Sequence, residues 1–239
     1  MSLPLHLVIS EVLRDRITQG QYRLGEQIPS EHQLMAEFGA SRTTIRRSLR
    51  NLVSQGLVMA YQGKGVFVTQ EKKVTYSLTH PLVFLEEDMV RQGIPFSVQN
   101  LLFEKVSAPP DVQQRLQLWQ DAPTVYLQKK LLLMNGVPGG VDITYVVPEL
   151  GAAFGADLQQ RMTFPVLEEK GVPIDRVEAI LECTTATYEM SQYLDVPLGH
   201  PLILYRHTAY TQNDRPILHG ESISRADRFC YSVTIQKQR

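Results

Sequence analysis

The sequence predicts two domains of different class: a small helical domain closed by a β-hairpin, then a larger α+β domain with a mostly antiparallel sheet. Three observations point there. At 239 residues the chain exceeds the usual span of a single core, and its 43% hydrophobic and 21% charged residues are those of an ordinary globular protein. Apolar residues recur at helical spacing early in the chain and mainly in short alternating runs later. Charge divides with them: residues 1–70 hold eight Lys and Arg against five Asp and Glu, the remainder sixteen against twenty, although the whole chain carries only −1. A local positive excess permits contact with a polyanion at the N-terminal end.

Leu5, Val8, Ile9, Val12, Leu13 and Ile17 share one face of a helix over residues 5–19, with Gly20 as its stop. Ser30 is suited to cap a second helix carrying Leu34, Met35 and Phe38, and Gly39 ends it. Ser41 caps a third, whose apolar stripe is Ile45, Leu49, Leu52 and Val53 and whose end is Gly56. At 100° per residue Thr43, Arg46, Arg47 and Arg50 gather on the opposite face, with Arg42 and Thr44 in the first turn. Two helices joined by so brief a turn form a helix-turn-helix, in which the second helix enters the major groove of DNA and its N-terminal residues meet base edges. Residues 57–61 and 66–69 read as strands around Gln62-Gly63-Lys64-Gly65, a basic glycine turn able to approach the sugar-phosphate rail: a wing.

Residues 71–77 have charge and no clear period, so the boundaries expected are a DNA-binding domain over 1–70, a linker over 71–77 and a second domain over 78–239. In that second domain strands are expected at 98–106, 124–134, 141–147, 177–185, 202–211 and 215–224, with residues 231–235 closing the sheet. Asn135-Gly136 and Asn213-Asp214 mark hairpins, and helices are expected at 109–118, from Thr163, and at 188–194.

The first stretch resembles the DNA-binding domain of the GntR family of bacterial repressors. Carrying the resemblance are Gly25-Glu26-Gln27-Ile28-Pro29-Ser30-Glu31, Ser41-Arg42-Thr43-Thr44-Ile45-Arg46, Leu52 to Leu57, and Gly63-Lys64-Gly65-Val66-Phe67-Val68. It implies that Arg42 and Arg46 read bases and that Ser41, Thr43 and Thr44 hold phosphates, with Arg47, Arg50, Gly63, Lys64 and Gly65 beside them. An Arg commonly follows the Pro-Ser-Glu segment in that family, and here the position is His32.

The remainder resembles the UTRA effector-binding domain of the HutC branch, whose fold is like that of chorismate lyase. The matching pieces include Gln92-Gly93-Ile94-Pro95, Asn135-Gly136-Val137-Pro138, Glu168-Glu169-Lys170-Gly171 and Arg225-Ala226-Asp227-Arg228-Phe229. In relatives that bind phosphosugars, two arginines on a central strand and a hydroxyl at a helix start hold the phosphate; the aligned positions here are Lys130, Leu132 and Thr163. Asp142 matches an acid facing the pocket, and Thr79, His80 and Glu221 are positional candidates.

The six histidines show no metal-ligand spacing, no phosphate-binding glycine loop or nucleophile elbow occurs, and no cofactor or metal is expected. Cys183 and Cys230 are too few and too distant for a disulfide framework. With no apolar run long enough for a membrane and no signal-peptide pattern, a cytoplasmic protein is expected. The expected partners are double-stranded operator DNA, a small-molecule effector such as a sugar or anionic metabolite, and a second copy of the chain in a homodimer. Two other readings stay open: an enzyme with a chorismate-lyase-like domain fused to a DNA-binding module, and a DNA-binding protein whose second domain only dimerises.

Overall fold

The computed structural model describes residues 4–61, 63–69, 73–78 and 84–234. The chain divides into two compact units, Met1–Lys73 and Val74–Arg239.

The first unit contains α1 (Leu5–Thr18), α2 (Glu31–Phe38), α3 (Arg42–Ser54), β1 (Val58–Tyr61) and β2 (Gly65–Val68). Its helix starts are built as the sequence suggests. Ser30 Oγ accepts from the Gln33 backbone N–H while Gln33 Oε1 accepts from the Ser30 N–H at 2.8 Å, a reciprocal cap. Ser41 Oγ accepts from the Thr44 N–H, starting α3, and Gly39 closes α2 at φ 58°. Ile9, Leu13, Ile28, Leu34, Ile45, Leu49, Leu52, Val58 and Val68 make the core. Leu5 and Val8, on the margin of the α1 stripe, remain exposed. Two buried serines join α1 to α3: Ser48 Oγ donates to the His6 carbonyl at 2.9 Å, and Asn51 Nδ2 donates to Ser10 Oγ at 2.8 Å.

The second unit runs β3 (Val74–Leu78), α4 (Leu85–Arg91), β4 (Phe96–Ser107), α5 (Pro110–Arg115), β5 (Thr124–Met134), β6 (Val137–Val146), α6 (Pro148–Leu158), α7 (Thr163–Glu169), β7 (Arg176–Thr185), α8 (Tyr188–Leu194), β8 (Pro201–Tyr210), β9 (Pro216–Arg225) and β10 (Phe229–Val233). Six strands form an antiparallel sheet in the order β4-β5-β6-β9-β8-β7. Asn135 and Gly136 take φ 53° and 73°, both left-handed, as the tight β5–β6 hairpin requires.

Three features differ from the sequence reading. The closing strand, β10, does not join the large sheet; it pairs in parallel with β3, forming a separate two-stranded sheet. Part of the stretch read as linker through residue 77 is therefore a strand, Val74 and Tyr76 being buried with Phe229 in a small core. Its partner lies 155 residues away, a pairing that local pattern cannot reveal. Helix α6 is also new. Gly151 and Gly155 lower its intrinsic helical signal, yet packing requires them, Gly151 against Tyr126 and Gly155 against Phe103.

A Cβ at Gly151 would meet the Tyr126 ring well inside van der Waals contact. Gly151→Val is thus expected to lower stability by about 1–3 kcal/mol through overpacking. Urea unfolding of the full chain measures it, and a stability equal to the parent would show that α6 is not seated on β5 in this way.

Candidate functional site

In the first unit α3 presents one exposed cationic face. Arg42, Thr43, Arg46, Arg47 and Arg50 are exposed and Thr44 half-buried; behind them Ile45, Leu49 and Leu52 are core, whereas Val53, expected in the same stripe, lies exposed at its edge. Arg42 and Arg46 both approach Glu31. Arg42 Nε donates to Glu31 Oε2 at 2.8 Å, and Arg46 Nε lies 3.7 Å from Glu31 Oε1. Both contacts use Nε, so the Nη fork of each guanidinium is not consumed by Glu31 and is available for a base edge. Glu31 itself sits in the first turn of α2, where a carboxylate suits the free N–H groups.

The wing packs onto the same side. Gln27 Nε2 donates to the Lys64 carbonyl at 3.0 Å, and the Cβ that Gly65 lacks would collide with that amide. Gly65, at φ 117°, meets two demands at once, a left-handed backbone and close approach. Lys64 and Gly63 are exposed at the tip, as is His32 beside Glu31. An open cleft lined by Gln27, Ser30, Glu31, Arg46, Tyr61, Gly63 and Gly65 separates the wing from the α3 side. Sequence reasoning missed Glu31 and Gln27 as positioning residues, because their roles depend on contacts 11 and 37 residues away.

In the second unit the sheet register builds a polar floor. Lys130 stands opposite Asp142, Asp142 opposite Ser222, and Ser222 opposite Tyr205, so a row of four side chains crosses β5, β6, β9 and β8. The next row holds Gln128, Thr144, Gly220 and His207. Asp142 accepts from Ser222 Oγ at 2.6 Å and Thr144 Oγ1 at 2.8 Å. Lys130 is fully buried, and its ammonium donates to the Arg161 carbonyl at 2.7 Å and to Thr163 Oγ1 at 3.1 Å. Burial pushes its pKa down to about 8, against the opposing pull of Asp142 and Glu86. Gln128 also donates to Thr163 Oγ1, which therefore closes the α7 end of the floor.

Over this floor lies a narrow cavity of about 40 Å³ that opens to solvent. Its walls include Phe84 and Phe164, ring centres 5.2 Å apart, and the group Tyr76, Tyr205, Phe229 and Tyr231, with Tyr205 stacked on Tyr231 at 5.4 Å. His207 stacks on Tyr205 at 5.2 Å; burial holds its pKa below the usual range.

Of the residues expected to bind a ligand, Lys130, Asp142 and Thr163 are brought together, and Leu132 lines the cavity. Thr79 and His80 lie outside the described residues. Glu221 does not join the floor: it neighbours Ser222 on β9, points to the other face, and accepts from Arg206 Nε at 2.8 Å. The period of two makes a one-residue error a change of face. The aromatic walls were not anticipated, since they come from β3, α7, β8 and β10, which sequence order separates.

A helix-turn-helix with a wing, on one chain with an α+β unit that holds an aromatic-lined cavity, defines the class of two-domain DNA-binding regulators. Residues 5–68 match the bacterial regulatory proteins of the gntR family, and residues 91–230 match the UTRA domain. The chain belongs to the GntR-type transcription regulators that carry a UTRA domain. It is similar to the HTH-type transcriptional repressor NagR of Bacillus subtilis, 26% identical over 96% of this chain and 93% of that one. It is also similar to a probable fructoselysine utilization operon transcriptional repressor of Escherichia coli, 29% identical over 98% and 95%. The solved structure of PhnF from Mycobacterium smegmatis shares the fold, with a TM-score of 0.67 at 19% identity, covering 96% of this chain and all of that one. No helix among the described residues is long and apolar enough to cross a membrane.

The depressed Lys130 pKa has a signed consequence. Between about pH 8 and the unfolded value near 10.5 the unfolded chain holds a proton that the folded form has released, so stability rises with pH across that window. The charged form costs the fold about 3 kcal/mol on the conversion of one pKa unit to roughly 1.4 kcal/mol. Relative to Lys130→Met, the parent protein is expected to gain stability as pH rises from about 8 to 10, below the range where the buried tyrosines titrate. Urea unfolding of both at several pH values checks this; parallel curves would mean that folded Lys130 keeps its proton through pH 10 and that burial does not lower its pKa.

Proposed function

We propose that the chain is a homodimeric repressor that holds operator DNA through α3 and its wing and releases it when a small molecule fills the cavity of the second unit. The observation that carries this reading is the pairing of two arginines held ready by one carboxylate in the first unit with a buried, charged and aromatic cavity in the second. Full-length relatives named as repressors support the same direction of control. One helix-turn-helix gives limited affinity, and two copies on a palindrome supply the rest. Cytoplasmic placement follows from the DNA target.

Arg42 and Arg46 are assigned to base edges, Ser41, Thr43 and Thr44 to phosphates at the start of α3, and Arg47, Arg50 and Lys64 to the flanking backbone, with Gly63 and Gly65 bringing the wing close and His32 at the margin. Lys130, Asp142 and Thr163 form the effector floor. Catalysis is not assigned: the family and the relatives are regulators, and the effector is expected back chemically unchanged after incubation.

Arg42→Ala and Arg46→Ala are expected to erase operator preference, each costing about 1–3 kcal/mol per protomer, whereas Lys64→Ala weakens all sequences alike and lowers the salt slope by about one. Fluorescence anisotropy on operator and scrambled duplexes at several salt concentrations separates the two classes. An unchanged preference in both arginine variants would remove α3 as the reader.

A further inference from the structure

We propose that the cavity of the second unit, and with it the effector site on which this inference rests, accepts a small organic cation: a protonated nitrogen facing Asp142, with an aromatic or alicyclic body among the rings of Phe164, Tyr205 and Tyr231. This departs from the sugar or anionic metabolite that the sequence suggests.

Charge decides first. The described lining contains one carboxylate, Asp142, and no Lys or Arg; Leu132 stands on the wall where a cation would be needed to hold a phosphate. Lys130 belongs to the floor and not to the lining, and two of its three donors are spent on the Arg161 carbonyl and Thr163 Oγ1. The start of α7 gives an anion little, because Pro165 removes one of the free backbone N–H groups beside the cavity. An anion here would face Asp142 at low dielectric without a countercharge in the wall.

A cation meets the opposite conditions. Asp142 has accepted one hydrogen bond on each oxygen, and a carboxylate oxygen has room for two, so each can still accept from a ligand N–H. Phe164, Tyr205 and Tyr231 line the cavity and give an apolar ligand body a ring-lined wall, although the faces of Tyr205 are themselves stacked on Tyr231 and His207. His207 also lines the cavity, is 5% exposed and leaves its Nδ1 without a hydrogen-bond partner among the described residues.

The test uses full-length protein and four probes of similar size: phenethylamine, phenethyl alcohol, phenylacetate and phenyl phosphate, titrated by saturation-transfer NMR and melting temperature. The amine is expected to bind about tenfold more tightly than the alcohol, the worth of one charge-assisted hydrogen bond, and the two anions not at all. Asp142→Asn is expected to remove the amine's advantage while keeping the alcohol's affinity. Should that variant fail to fold, the order of the four probes on the unaltered protein decides alone. Preference for either anion, equal binding of amine and alcohol, or binding of none overturns the inference. An amine that binds in the expected order but leaves operator affinity unchanged would support the ligand class and overturn the effector reading.

Discussion

The second unit is organised around one costly fact, the complete burial of the Lys130 ammonium. A charge removed from water is tolerated only with close partners. The partners come from a distant segment, the Arg161 carbonyl and Thr163 Oγ1 at the start of α7, while Asp142, opposite in the sheet, attracts it at longer range. Those demands pin α7 over β5, and α7 in turn contributes Phe164 and Pro165 to the cavity wall. Asp142 is held by Thr144 and Ser222, one from its own strand and one from β9, so the floor is a connected polar network. A cavity with a fixed floor can discriminate between ligands, because a misplaced group leaves one of these buried partners unsatisfied.

The first unit solves a different problem with related means. In the reading proposed above, an arginine that meets a base edge loses less freedom when it is held beforehand, and Glu31 of the neighbouring helix hydrogen-bonds Arg42 and lies near Arg46. The wing is held likewise, through Gln27 to the Lys64 carbonyl and through the close approach at Gly65. The first unit leaves its arginines exposed beside a carboxylate of a neighbouring helix, whereas the second buries its lysine beneath the cavity with a carbonyl and a hydroxyl as partners.

Legibility in the sequence followed the range of the interactions. Helix caps at Ser30 and Ser41, the α3 cationic face and the Asn135-Gly136 hairpin depend on neighbours within four residues, and all were readable. The β3–β10 pair joins Val74 to Phe229, and nothing local marks Val74–Leu78 as a strand rather than a linker. Lys130 and Asp142 came from the resemblance, as did Glu221 by position, and the face to which a strand residue points cannot be read from one residue at a time. The aromatic walls were invisible for the same reason as β3: they are assembled from segments that only the folded topology brings together.

The central claim is that occupancy of the cavity and hold on DNA are two sides of one equilibrium. Linkage requires any such coupling to be reciprocal: an effector that weakens operator binding by some factor must itself be weakened by operator by the same factor. Calorimetric titration of a cavity-binding compound into the free protein and into the protein saturated with operator measures both sides. The account predicts weaker binding to the DNA complex, by roughly 5–150-fold as for a coupling of about 1–3 kcal/mol, matched by the loss of operator affinity in the compound's presence. Equal affinities in the two titrations would contradict it.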